Sequence, residues 1–454
     1  MERYESTQWR SIGILGIAMC SGVLVGYVTT VIAGVLPLIN KKFHLVVWQE
    51  GLLVAIILIG GFVGSLLCNK IIPVLGHKKT LVLVALAFIA GSLWSAFSIN
   101  YLSLLSARFF SGLAVGITTV IAPMYAAETS SDHTRGFLVS SVQLAITVGI
   151  LFAYIISYVF APTHNWEMMF AVGVFPGILL LMLIPLQLES PRWLFLNNRV
   201  DEAKSVFFKL HGIQWVEVDR VHCHHEIQGR FRDLLHPYIF PVLLFTSGLF
   251  FFQNLSGIDA ILFYAPIILN QSGFTSLQSG LAVAIVIGFI NILATILSMW
   301  LIDHLGRRPI ALTGLFFMVV CLIGFSFIHP YVTSAPIMPW LSALMLLLFV
   351  SFFAVSLGPI PYVLMSELFP IRIRTLGMGI ASATAWGINA LVTFAYPILT
   401  EYMGISRLFF CFSIICAIAL CIFLLFCPET KNQTLENIEA KLQGGEKLRN
   451  LGSI

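Results

Sequence analysis

The chain is 454 residues long; 58% of them are hydrophobic and 10% charged, against roughly 25% charged in a soluble domain. A water-soluble globule has no way to hide so much apolar surface, so lipid must be part of its solvent. The net charge of +4 is too unevenly distributed to specify a partner, and no nucleic-acid partner is expected.

A membrane span needs about 20 apolar residues. That ruler predicts twelve spans, over 11–39, 50–72, 80–98, 101–127, 136–160, 167–188, 238–270, 278–302, 310–328, 338–366, 375–400 and 406–427. The first run is too long for a signal-peptide core and reads as a span, so no cleavable signal peptide is expected. Gly and Pro inside these runs do not argue against helices, which tolerate them in lipid. The charge-free run from Pro309 to Ser366 must fold back once, and His329-Pro330 through Pro339 supplies the turn. The loop 189–237 carries helix-like stretches such as Val200–His211. Of 25 lysines and arginines, only Lys41, Lys42 and Arg407 fall in loops of one side, and Arg108 lies inside a span. The rest fall on the opposite side, which predicts both termini in the cytoplasm. All cysteines but Cys223 lie within or at the ends of apolar runs, where they read as packing residues with no disulfide framework.

The sequence repeats itself across these spans. Gly257-Ile258-Asp259 echoes Gly26-Tyr27-Val28, and Gly306-Arg307-Arg308 echoes Gly76-His77-Lys78. Glu367 and Arg374 echo Glu128 and Arg135. A membrane chain of two similar halves usually closes around a site between them, near the bilayer midplane, which is the layout of a solute carrier. The predicted organisation is a six-helix half over 1–188, a cytoplasmic linker over 189–237, a second six-helix half over 238–430, and a tail over 431–454.

Some segments are more specific. Glu189-Ser190-Pro191-Arg192-Trp193-Leu194 follows span six, and Pro428-Glu429-Thr430-Lys431 follows span twelve. Span ten holds Gly358-Pro359-Ile360-Pro361-Tyr362 and Ser366-Glu367-Leu368-Phe369-Pro370. In this order and at these places they resemble the sugar porter family of the major facilitator superfamily, which includes bacterial xylose-, galactose- and arabinose-proton symporters and facilitative glucose transporters. The resemblance runs from about Gly22 to Glu439. It implies an all-α membrane protein with the major facilitator fold: twelve transmembrane helices in two pseudo-symmetric halves, moving a hexose or pentose by alternating access.

The resemblance also implies a sugar site made of Gln143 on span five, Gln253, Asn254 and Asp259 on span seven, Asn291 on span eight, Tyr362 on span ten, and Trp386 and Asn389 on span eleven. The chemistry suits a sugar. Amides donate and accept at once, matching a ring of hydroxyls. An indole offers a flat apolar face and one N–H donor. The alternative for such residues is interhelical bonding, since polar side chains in membrane helices often bond one another.

Within its spans the chain departs from the family conservatively at Asn254, which stands where the family has the second glutamine of span seven, and more strongly at three other places. The span-one aspartate of proton-coupled members is Val28 here. The asparagine after Gly257-Ile258 is Asp259, and the span-ten tryptophan is Tyr362. Asp259 and Arg108, which resembles the family's span-four arginine, are the candidates for proton coupling; an ionisable residue in a span is a functional candidate by default. The alternative for Arg108 is that it snorkels outward. Coupled symport through Asp259 and facilitated uniport both follow from these residues. An organic cation or amino sugar drawn by Asp259 is a further substrate reading, and a non-transporting sugar sensor a reading of another class; the short segment after Thr430 argues against the sensor.

The resemblance further implies a cytoplasmic gate of Glu128, Arg135, Glu189, Arg192, Asp303, Arg307, Glu367, Arg374 and Glu429. Pro73 and His77 replace the family's acidic and arginine residues in the first half, so the closing network is expected to lean on the second. His222-Cys223-His224-His225 lacks a second ligand pair, so no metal is expected. No phosphate-cradling loop and no nucleophile–base arrangement is present, which leaves no cofactor, no ATP drive and no enzyme. The remaining expectations are a sugar as partner, with protons under the symport reading, surrounding lipid, a monomeric carrier, and residence in the plasma membrane of a bacterium.

Overall fold

A computed structural model describes residues 2–129, 132–211, 231–370, 373–431, 433 and 435–451. Among them every regular element is a helix. Twelve helical segments are long and apolar enough to cross a membrane: Gly13–Phe43, Val47–Cys68, His77–Ala96, Tyr101–Ala126, Ser141–Phe160, Trp166–Leu186, Phe240–Phe263, Leu277–Ile302, Arg307–Tyr331, Met338–Leu368, Leu376–Met403 and Ile405–Phe426. These are spans one to twelve below. Large apolar side chains such as Leu86, Phe175, Leu244, Trp300 and Leu425 are exposed, as a surface facing lipid rather than water requires. The protein is an all-α, multi-pass membrane protein. The fold-back in the charge-free run falls where it was expected, with a short 3-10 helix at His329–Tyr331 and the next helix starting at Met338. The expected Val200–His211 helix is present.

The chain forms two compact units, Met1–His44 with Ile56–Glu226, and Leu45–Ala55 with Ile227–Ile454. In the first unit, small residues bring spans together. Without a hydrophobic drive between helices in lipid, close backbone approach supplies the packing energy. Gly22 and Gly26 lie on one face of span one and meet Ala145 and the backbone of Ile146 on span five, where Gly149 in turn meets the backbone of Val23 and Tyr27. A Cβ on Gly26 would stand 2.0 Å from the Ile146 carbonyl oxygen, and one on Gly149 2.3 Å from that of Val23. Span two repeats the device. A Cβ on Gly64 would stand 2.2 Å from the Leu113 carbonyl oxygen, and one on Gly116 2.0 Å from that of Gly61.

In the second unit two spans are interrupted. Span seven runs as Phe240–Leu255 and then Ile258–Phe263, with Gly257 at φ 84° between them; Ala265–Gln271 follows. Span ten runs as Met338–Val355 and Ile360–Leu368, broken where Gly358-Pro359 and Pro361 deny the helix its N–H donors. Aromatic packing holds spans nine and twelve together, with Phe325 and Phe409 rings 4.3 Å apart.

The glycine contacts generate a direct test. Gly26→Val should place two methyl groups against the span-five backbone and destabilise the protein by about 1–3 kcal/mol, the usual cost of overpacking. A lowered thermal midpoint in detergent is the expected result, and an unchanged midpoint would show that spans one and five are not in this contact.

Candidate functional site

The polar set of the second unit is organised by the break in span ten. In a continuous helix the Val355 carbonyl would accept from residue 359 and the Leu357 carbonyl from residue 361. Both positions are proline, so both carbonyls are orphaned inside a membrane, where an unmatched polar group is costly. Each is satisfied from another span. Ser298 Oγ on span eight donates to the Val355 oxygen at 3.0 Å. Gln253 Nε2 on span seven donates to the oxygens of Leu357 at 2.7 Å and Gly358 at 3.2 Å. The donor end of Gln253 is therefore committed to backbone, and its Oε1 is the end with which it can receive a ligand hydroxyl. Asn254 is also buried, and its Nδ2 donates to the Phe250 oxygen one turn earlier at 2.8 Å.

Asp259 follows Gly257 in the first turn of Ile258–Phe263 and is half-buried. The Tyr362 ring is 46% exposed and stands edge-on to Phe250, 4.9 Å between centroids. Asn291 is buried on span eight, while Trp386 and Asn389 are half-buried on span eleven. Asn389 Oδ1 accepts from Thr393 Oγ1 at 3.1 Å, and the Thr393 carbonyl accepts from Tyr264 Oη at 3.1 Å. Tyr264 in turn stacks on Tyr396 at 4.8 Å. Spans seven and eleven are thus joined through side chains beside the candidate residues.

In the first unit, Gln143 is half-buried on span five. Arg108 corrects one alternative. It is 1% exposed, so it does not snorkel outward. Its Nη1 donates to the Val28 carbonyl at 3.4 Å, and its guanidinium lies 6.0 Å from the Phe170 ring centre. Beside it is a cavity of about 10 Å³ bordered by Tyr27, Val28, Ser92, Ser95 and Ser111, about the room one water needs.

The charged residues assemble twice, once in each unit. In the second, Glu429 accepts the backbone N–H groups of Arg307 and Arg308, both at 3.1 Å. Arg307 Nη2 meets Glu367 Oε1 at 2.8 Å, and Thr430 Oγ1 donates to the other Glu367 oxygen. In the first, Glu189 accepts the backbone N–H groups of His77 at 3.0 Å and Lys78 at 3.2 Å. His77 Nε2 lies 3.4 Å from Glu128 Oε2, and Ser190 Oγ donates to Glu128. Both carboxylates cap the N-terminus of a helix, where unpaired N–H groups and the helix dipole favour an anion. Glycine precedes each cap for a reason. Gly76 and Gly306 have φ 80° and 93°, and a Cβ on Gly306 would stand 2.5 Å from Glu429 Oε2.

The first half therefore builds a cluster like that of the second, with His77 where the second has Arg307. Sequence reasoning missed Ser190, Thr430, Lys78 and Ser298. The first two were legible as matching hydroxyls beside Glu189 and Glu429. Arg192 is half-buried in the helix Pro191–Leu196. The side chains of Arg135, Asp303 and Arg374 lie outside the described residues, as does the whole His222–His225 stretch.

Residues 14–442 match the family described as sugar (and other) transporter. YwtG, a protein of Bacillus subtilis (strain 168) named for metabolite transport, is 36% identical over 425 residues, 93% of each chain. The galactose-proton symporter of Escherichia coli (strain K12) is 31% identical, covering 96% of this chain and 95% of its own. The xylose transporter XylE from E. coli, in a partially occluded inward-open conformation, superposes with a TM-score of 0.82 at 28% identity, over 94% of this chain and 99% of that one. The chain belongs to the sugar transporter family and has the major facilitator fold.

The double duty of Gln253 separates it from Trp386. Gln253→Ala would strand the Leu357 carbonyl and should cost about 1–3 kcal/mol of stability as well as sugar affinity. Trp386→Ala should weaken binding by a comparable amount while moving the thermal midpoint less. Paired unfolding and binding measurements check this; equal stability losses would overturn the division of roles.

Proposed function

We propose that this family member carries a monosaccharide across the membrane by alternating access and couples it to protons. The observation that carries the reading is the amide and aromatic set on spans seven, eight, ten and eleven, in a chain matched to sugar transporters over nearly its whole length. Gln253, Asn254, Asn291 and Asn389, with Gln143 of the first unit, offer paired donors and acceptors for hydroxyls. Trp386 and Tyr362 offer apolar faces for the C–H side of the ring. No covalent step is needed.

Asp259 is the proposed coupling residue. Val28 cannot take up a proton, whereas a half-buried carboxylate at the repeat-related position on span seven can. In this reading the coupling group has moved from the first half to the second. Arg108 serves as a fixed positive charge in the first half. The paired clusters around Glu128 and Glu189, and around Arg307, Glu367 and Glu429, with Arg135, Arg192, Asp303 and Arg374 nearby in sequence, form the gate on the side of the two termini. The excess of lysine and arginine in the loops of that side supports a cytoplasmic placement, in the plasma membrane of a bacterium. The carrier acts as a monomer.

Proteoliposomes with an imposed proton gradient test the proposal. Wild-type protein should accumulate xylose, galactose or a related monosaccharide above its external concentration. Asp259→Asn should abolish accumulation while sugar exchange persists. Accumulation that survives Asp259→Asn would remove Asp259 from coupling. Equilibration without accumulation in the wild type would make the carrier a uniporter, the reading that Val28 favours.

A further inference from the structure

A guanidinium keeps its charge at every physiological pH, and a charge at membrane depth is costly unless opposite charge or hydrogen bonds meet it. Arg108 stands about 10 Å along span four from its first residue, at 1.5 Å per residue, and is buried. The cavity beside it lies among spans one, three, four and six, and no acidic residue borders it.

We propose that this cavity is a halide site, where a chloride ion held by Arg108 and the hydroxyls of Ser92 and Ser95 takes the place that a carboxylate at residue 28 would fill. The bordering groups are donors. A guanidinium carries five N–H groups in one plane, so it can serve the Val28 carbonyl and an anion together. Ser92 and Ser95 lie one turn apart on span three and are buried. Ser111 returns its hydroxyl to the Ala107 carbonyl at 3.0 Å, and Ser98 does so to that of Trp94 at 2.7 Å. Among the described residues, Ser92 and Ser95 make no such bond, so both O–H groups are available to a guest. Tyr27 gives its hydroxyl to the Met169 carbonyl, and Val28 and Phe170 present apolar walls.

The walls hold these groups in place. A Cβ on Gly91 would stand 2.2 Å from Ser111 Oγ, and one on Gly173 2.8 Å from Ser92 Oγ. Spans three, four and six therefore approach through glycine around the cavity. Its volume of about 10 Å³ admits one small sphere. A monatomic anion fits, and a polyatomic one such as sulfate or gluconate does not.

A water molecule would fill the same space without bringing charge. Attraction between opposite unit charges grows as the dielectric falls. The opposing cost is dehydration of the ion, which the guanidinium and two hydroxyls offset. A halide also does not titrate. It would neutralise Arg108 at every stage of a transport cycle, whichever group elsewhere carries a proton.

The test is the thermal midpoint in detergent at fixed pH and ionic strength, with chloride replacing gluconate stepwise, so it does not depend on transport of a sugar. The wild-type midpoint should rise saturably by about 2–4 °C, the shift expected of a ligand at several times its dissociation constant. Bromide should act like chloride, and sulfate like gluconate. Val28→Asp, which supplies the carboxylate within the chain, and Arg108→Gln, which removes the charge, should each flatten the chloride response; Ser95→Ala should move it to higher chloride. Equal wild-type midpoints in chloride and gluconate would mean that the cavity takes water only and would overturn the proposal. A chloride response undiminished in Val28→Asp would overturn it equally, as an effect of salt elsewhere on the protein, even should Arg108→Gln not fold.

Discussion

Every backbone polar group in the bilayer must find a partner inside the protein, and this constraint shapes the candidate site more than any single side chain does. An unbroken helix meets the requirement alone. Span ten cannot, because Pro359 and Pro361 leave the carbonyls of Val355 and Leu357 without N–H donors. Spans seven and eight supply them through Gln253 and Ser298. The break that opens the helix next to Tyr362 therefore also fixes the orientation of Gln253. The opposition between a sugar-binding amide and an interhelical one dissolves here, since opposite ends of one amide can serve both purposes.

The same constraint acts at the helix starts. The helices beginning at His77 and Arg307 expose N–H groups near the membrane surface, and a glutamate from after span six or span twelve closes over each. These glutamates pin the chain leaving the last span of a half to the loop between its second and third spans. Each cluster is in this sense a structural seam within its own half, and its ion pairs are built upon a cap. A charge substitution at the glutamate perturbs helix termination as well as electrostatics, so replacements of its cationic partners that leave the capping carboxylate in place isolate the electrostatic part.

How much of this was legible depended on the range of the interaction. Spans were legible because the bilayer imposes a length and the sequence fills it with apolar residues. The fold-back near His329 was legible from proline and the absence of charge. The repeated charges were legible as spacing. The use of Gln253 was not, because which carbonyl a proline orphans can be read locally, but which span lies opposite it cannot. The burial of Arg108 was equally hidden. Its position along the helix allowed an outward reach; the inward path is set by the Val28 carbonyl and the Phe170 ring, contributed by segments far away in sequence. The similarity of the two clusters was underestimated because His77 looks like a loss when compared with arginine, whereas the Glu189 cap that organises the site uses only its backbone N–H.

Arg108 and Asp259 together show why replacing one carboxylate need not dismantle a carrier. A buried guanidinium needs acceptors, and a carboxylate at residue 28 would be a natural one. With valine there, the span-one backbone oxygen and an aromatic ring provide the local environment, and the small cavity bordered by Ser92, Ser95 and Ser111 leaves room for a polar neighbour. The positive charge can stay because its stabilisation does not depend on a titrating partner at that position. A group that must gain and lose a proton can then reside elsewhere. Residue 259 is the repeat-related place, in the first turn after a glycine break, where span seven already departs from a regular helix. The pseudo-symmetry of the fold supplies two equivalent positions for such a group, and the coupling proposed for Asp259 places it at the second.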